Sequence, residues 1–390
     1  MKKTLVAIAA LAAFGAQAQS SVTISGLIDT GYQSVNAGYS STAPAGNLTA
    51  SDYKGLKANG TATSVLTIAG TEDLGNGLAA NFQFQLTPDF LSGNGVQGGT
   101  TNNTAGDATY NTAIGNAQQA FVGLSSAKAG SIKLGRVNSN ALDAWGTASV
   151  FGTALGSGYG SNGNIFTRYS SSAPASPYNS APTRFNNAIR YESPAFSGFS
   201  GSVLYVPQVN VTGGTNTADT TSARSTNRQG VTDIGLKYSN GPLNVMYANQ
   251  KVSTGSEGVV DLVSNTAPTA TAANVDTKLS ILAANYTFGA ATVYGATWTE
   301  KQNSSTATNA AGKMIGAKYA LGATTLMASM GSNNDKTSAN ADKKISGFGA
   351  DYALSKRTNL YARYEVRDAD TTTANDDKTK TTAIGVRHSF

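Results

Sequence analysis

Along most of the chain, apolar or aromatic residues alternate one-for-one with polar or small ones, the spacing of strands whose two faces meet different surroundings. In Asn81 to Leu86, Phe82, Phe84 and Leu86 share one face while Asn81, Gln83 and Gln85 share the other. Thr232 to Tyr238 sets Ile234, Leu236 and Tyr238 against Asp233, Gly235 and Lys237, and Asn359 to Arg367 sets Leu360, Ala362, Tyr364 and Val366 against Tyr361, Arg363, Glu365 and Arg367. Helical spacing is almost nowhere. Short links such as Leu74-Gly75-Asn76-Gly77, Ser239-Asn240-Gly241-Pro242 and Leu321-Gly322-Ala323 carry hairpin chemistry, since Gly and Asn supply positive φ. Eight long links rich in Ser, Thr, Asn, Gly and Ala alternate with these turns: 37–60, 89–115, 138–166, 207–229, 253–276, 302–312, 333–343 and 369–378. The rhythm predicts an all-β protein of about sixteen antiparallel strands from Ser21 to Phe390, with every long loop at one end of the sheet.

So many strands left open would expose two edges of unpaired backbone, and in hydrocarbon each unpaired group costs several kcal/mol. Closing the sheet removes both edges. A closed transmembrane β-barrel also accounts for the polarity, with apolar faces toward lipid and polar faces around an aqueous interior. Tyr238, Tyr286, Phe288, Tyr319 and Tyr352 recur near segment ends, where an interfacial girdle belongs. Met1-Lys2-Lys3, the apolar run Thr4 to Phe14 and Ala16-Gln17-Ala18 form a secretory signal peptide over 1–18, leaving 19–390 as one barrel domain.

Composition narrows the chemistry. With no Cys and one His, His388, in 390 residues, thiol nucleophiles, Cys zinc sites, HExxH helices and two-His metal sites are excluded, a His-paired nucleophile would have to rely on His388 alone, and no metal or cofactor is implied. An enzyme barrel such as a lipase or protease would need His388 as base, at the chain terminus on an outward face. The 28 basic against 22 acidic residues give a net charge of +6, yet they are scattered, without the basic stripe that nucleic acid requires. A secreted adhesin would show a fixed repeat, and none is present. Alternation turns Lys133, Arg184, Arg190, Lys237, Lys318, Arg363, Arg367 and Arg387 inward, against Asp29, Glu192, Asp233, Asp351 and Glu365. That excess of positive charge predicts a modest preference for anions in transit.

Five segments in order resemble the trimeric general porins of Gram-negative outer membranes, in the neisserial and Burkholderia-like branch. They are Ser21 to Asp29, Ala69-Gly70-Thr71-Glu72-Asp73-Leu74-Gly75-Asn76-Gly77-Leu78, Gly123-Leu124-Ser125 with Ile132-Lys133-Leu134-Gly135-Arg136, Ile189 to Phe199, and the terminal Gly385-Val386-Arg387-His388-Ser389-Phe390. The resemblance implies a sixteen-stranded homotrimeric channel for small hydrophilic solutes, set among outer-membrane lipid and lipopolysaccharide. It implies that the third long loop, 138–166, folds into the lumen, and that Phe390 belongs to the signal read by the barrel-assembly machinery. It also places the constriction at Arg190 and Arg136, with Lys133, Arg184, Arg168 and Asp143 around them. Simple alternation turns Arg136 outward, so its inward placement requires a bulge. Val65 and Gln118-Gln119 stand where strongly anion-selective relatives carry Arg, and Asp143 is the one acid of the loop before Arg168, so selectivity should be mild. Trp145, Phe151 and Tyr159 either narrow the passage or anchor that loop to the wall, anchoring being favoured. A channel specialised for a sugar, phosphate or organic acid is the alternative.

Overall fold

The computed structural model describes residues 21–37, 52–91, 95–96, 117–159, 165–166, 183–207, 229–254, 275–303, 309–337, 340, 342–369 and 378–390. The expected signal peptide over 1–18, Arg168 and most of the long links lie outside these residues. The strands are β1 (Ser21–Ala37), β2 (Tyr53–Ala58), β3 (Val65–Gly75), β4 (Leu78–Leu86), the two-residue β5 (Pro88–Asp89) and β6 (Gly95–Val96), β7 (Ala117–Ser126), β8 (Gly130–Asn138), β9 (Arg184–Glu192) and β10 (Phe199–Val206). They continue with β11 (Gln229–Asn240), β12 (Leu243–Thr254), β13 (Val275–Phe288), β14 (Ala291–Gln302), β15 (Asn309–Leu321), β16 (Thr324–Asp335), β17 (Lys343–Ala353), β18 (Thr358–Ala369) and β19 (Lys378–Ser389). One helix, α1 (Asn140–Ala148), follows β8.

Sequential antiparallel pairing closes on itself where β1 meets β19 from Leu27↔Ser389 to Ala37↔Thr379. Phe390 continues that seam, exchanging both backbone bonds with Gly26 at 3.0 Å. The main sheet has seventeen segments, of which β2 and β3 pair with the upper and lower halves of β1 as one interrupted stave, so the barrel has sixteen staves. The β2 segment lies inside what alternation reads as the long link 37–60, and its six residues extend that stave toward the loop end. The short turns use positive φ where expected, at Gly75, Asn76 and Gly77, and again at Gly241, Gly289 and Gly322.

Side chains sort as the alternation predicts. Phe82, Ile234, Leu236, Leu360 and Tyr364 are exposed on the outer face, with Ile24 and Ile384 each 65% exposed. Tyr286, Phe288, Tyr319 and Tyr352 stand exposed beside the short turns. Among the described residues no helix is long and apolar enough to cross a membrane. The inner face departs from simple polarity beside the Val137, Phe185, Leu204 and Val231 cluster and, more widely, where Met246, Ala248, Leu279, Ile281, Ala283, Trp298 and Met314 point inward and are buried. The latter are dry because the segment after β8 lies on them.

Candidate functional site

That segment begins with a capped helix. Ser139 Oγ accepts from Leu142 N at 3.1 Å, and the following apolar positions Ala141, Leu142, Ala144, Trp145 and Ala148 fall on one helical face. Asp233 Oδ2 accepts from Asn140 N at 2.7 Å, placing a carboxylate against the positive end of the helix. Asn140 Nδ2 donates to Asp233 O at 2.9 Å and Ser202 Oγ to Asn140 Oδ1 at 2.6 Å, so the helix start is tied to two staves. The indole of Trp145 is fully buried, edge-on to Trp298 at 5.5 Å and 4.6 Å from Phe166, with Nε1 donating to Gly152 O at 2.9 Å. Phe151 and Tyr159 also pack against the wall, so these aromatics anchor the loop.

Beyond α1 the chain continues along the inner wall and docks on β16, β17 and β18, beside the staves that carry the helix. Gly156 N donates to Glu365 Oε2 at 2.6 Å, Gly156 O accepts from Ser329 Oγ at 2.8 Å, and Ile165 O accepts from Asn333 Nδ2 at 2.7 Å. Gly347 makes the close approach possible, since a Cβ there would collide with the backbone of Gly156. Residues 138–159 and 165–166 therefore lie inside the barrel and narrow it.

The charged residues expected at this waist are largely neutralised. Arg190 is buried: Nη2 meets Asp143 Oδ2 at 2.6 Å and Glu192 Oε1 at 3.0 Å, while Nη1 donates to Asn138 O at 2.6 Å. Lys133 Nζ meets Glu192 Oε2 at 2.7 Å and stands 5.5 Å from the Phe121 ring centroid. Two cations thus face two carboxylates. Arg184 starts β9 beside Asn138, within electrostatic reach of Tyr159, Asp143 and Arg136. Arg136 sits at the expected irregularity, where Asn186 and Asn187 of β9 stand against one residue of β8. Lys133 and Val137 remain inward on either side of it, and the half-buried Arg136 donates from Nη1 to Oδ1 of the exposed Asn186 at 2.6 Å. It takes no part in the Arg190–Asp143 contact.

Several residues assigned to the aqueous lining prove to be inward but dry. The Asp29 carboxylate is fully buried and accepts from Gly60 N, Thr61 N, Thr61 Oγ1, Ala62 N and Tyr361 Oη at 2.5 to 3.2 Å, holding the break between β2 and β3. Asp233 and Glu365 lie beneath the inner loop, and Arg363 is buried against Asp351 at 2.6 Å, with Phe151 5.5 Å away. Arg367 is paired to Glu365 and donates to Tyr159 O at 3.2 Å. Counting inward charges overstates the field because loops and partners cover most of them. Lys237 does remain exposed on the inner face. Lys57 of β2, hidden from alternation in the long link, is a further inward cation; it stands 5.9 Å from the Tyr53 ring centroid. No cluster of three or more His, Asp or Glu suited to a metal occurs among the described residues.

Comparison with known proteins agrees with this geometry. The sequence family described as Gram-negative porin matches residues 4–372. An outer membrane porin of Bordetella pertussis is 33% identical over 275 residues, covering 67% of this chain and 63% of that protein. Outer membrane porin protein 32 of Delftia acidovorans is 34% identical over 263 residues, covering 65% of this chain and 62% of that protein. The matched region thus spans a little under two thirds of these relatives. An anion-selective porin from Comamonas acidovorans superposes with a TM-score of 0.70 at 22% identity, over 95% of this chain and all of that one, a likeness of fold.

Proposed function

The chain belongs to the Gram-negative porin family, and from that premise we propose that it is a passive diffusion channel for small hydrophilic solutes and ions across the outer membrane. The observation that carries this reading is the closed sheet with apolar side chains outside and a loop-narrowed lumen within. Such a barrel performs no bond chemistry; it supplies water and fixed charge where hydrocarbon would otherwise exclude the solute. The waist, braced by Arg190–Asp143 and by Glu365 at Gly156, sets the size limit.

A mild anion preference follows from the surplus of inward cations over free carboxylates, and the Comamonas porin of the same fold is described as anion-selective. The chain acts as a homotrimer among outer-membrane lipid and lipopolysaccharide, exported by a cleaved 1–18 peptide and inserted through recognition of Phe390 by the barrel-assembly machinery. It carries no enzymatic activity and needs no cofactor. Purified protein in a planar bilayer under a KCl gradient tests the reading. Stepwise ohmic conductance with an anion-signed reversal potential supports it, a cation-signed potential removes the anion preference, and failure to conduct removes the channel.

A further inference from the structure

Two groups of inward charges stand out by what touches them, while Arg184 at the waist and Lys57 near the loop end belong to neither. At the waist and beneath the loop, Arg190 and Lys133 face Asp143 and Glu192, Arg363 faces Asp351, and Arg367 faces Glu365. Each set is a compact dipole whose field fades faster with distance than that of a lone charge. Near the short-turn end of the barrel, Lys237, Lys318 and Arg387 point inward, and no salt bridge joins any of them to a carboxylate among the described residues. Lys318 Nζ lies 5.3 Å from the Tyr294 ring centroid and Arg387 Nη2 is 3.3 Å from Asn359 Oδ1, contacts that leave both charges intact. Asp29 sits opposite Arg387 in register, but its oxygens are occupied by Tyr361 and the 60–62 backbone.

Their placement is regular. Lys237, Lys318 and Arg387 lie on β11, β15 and β19, which all run toward the short turns, and each is within three residues of its strand end. The three strands are four staves apart, so the cations occupy three of the four quarters of the mouth. Between Lys318 and Arg387 the inner wall holds a cavity of about 380 Å³, with Thr292, Thr325 and Asn359 in its lining and small side chains such as Ala320 and Ala353 leaving the room. Asp351 borders it but is engaged by Arg363.

We propose that the charge preference of this channel is set at its short-turn mouth by Lys237, Lys318 and Arg387, and that the cavity between the latter two is a resting site for a small inorganic anion. With Arg190 and Lys133 paired to carboxylates, the intact waist mainly sets size. A ring of like charges repels co-ions and concentrates counter-ions across an opening, over a range of about 8 Å at physiological salt. This rests on the channel reading above, and conductance separates the two.

Wild type, the triple variant Lys237→Gln/Lys318→Gln/Arg387→Gln, the three single variants and the paired waist variant Lys133→Gln/Glu192→Gln are recorded in planar bilayers under a KCl gradient. The triple variant is expected to conduct in steps with its reversal potential moved to zero or to cation sign, each single variant giving part of that shift and the paired variant less than any of them. A triple variant that keeps the wild-type potential overturns the proposal, as does a paired waist variant that shifts as far as the triple. Should the triple variant not insert, the singles decide: graded shifts support the mouth, and three unchanged potentials refute it. A wild type without conductance steps defeats the channel reading itself.

Discussion

Replacing Arg190 by Met removes the contacts with Asp143, Glu192 and Asn138 O at once while keeping a side chain that fills the site. Breaking a fully buried ion pair costs about 3–5 kcal/mol, because the partner is stranded. Here both carboxylates keep 32% of their side-chain surface exposed and can rehydrate from the lumen. The cost is therefore nearer that of a lost charged hydrogen bond, about 2 kcal/mol, or roughly a thirtyfold rise in the population with the loop detached. The Trp145 cluster holds the helix otherwise, so the barrel should fold and insert. Single-channel records should show more frequent flicker, and the reversal potential should move toward cations because Asp143 is uncovered. Adding Asp143→Asn should recover most of both effects, with a coupling of about 1 kcal/mol or more in the double-mutant cycle. Unaltered flicker in Arg190→Met, or strictly additive effects, would refute the bracing role.

Three further outcomes follow from the same contacts. Trp145→Ala empties a fully buried aromatic site and should destabilise the folded barrel by about 3–5 kcal/mol, seen as a lower unfolding temperature in detergent; an unchanged temperature would count against anchoring. Gly347→Val puts a side chain into the backbone of Gly156 and should displace the inner loop, raising single-channel conductance while the barrel remains heat-stable. Deleting Phe390 should lower the yield of folded protein in the membrane but spare refolding in detergent, which separates a recognition signal from the seam bonds to Gly26.

Alternation made the barrel legible because each stave meets lipid on one side and water or a buried loop on the other. Ile234 and Leu360 emerge outside, Asp233 and Arg363 inside, as their spacing requires. Segment Tyr53–Ala58 escaped because its six residues offer only Leu56 as an aliphatic outward position and are embedded in polar sequence. Helix α1 carried a readable signal, a Ser cap followed by apolar residues at helical spacing, but nine residues in a Gly-rich link are little against the strand rhythm. The sector under the loop was hidden more deeply: Leu279 and Ile281 read like any strand residues, and only the docked segment reveals that their surroundings are dry. Charge roles were least legible. Arg190 and Asp143 are 47 positions apart, and Asp29 and Tyr361 are 332, so parity gives the face of each residue but not its partner.

The barrel is expected to enclose a closed, water-filled duct of limited width. Liposomes containing the purified wild-type protein, transferred into isosmotic solutions of neutral sugars of increasing size, test it most directly. Rapid swelling with the smallest sugars, falling steeply as size grows, is the predicted result. Swelling indistinguishable from protein-free liposomes, even with the smallest sugar, would contradict it.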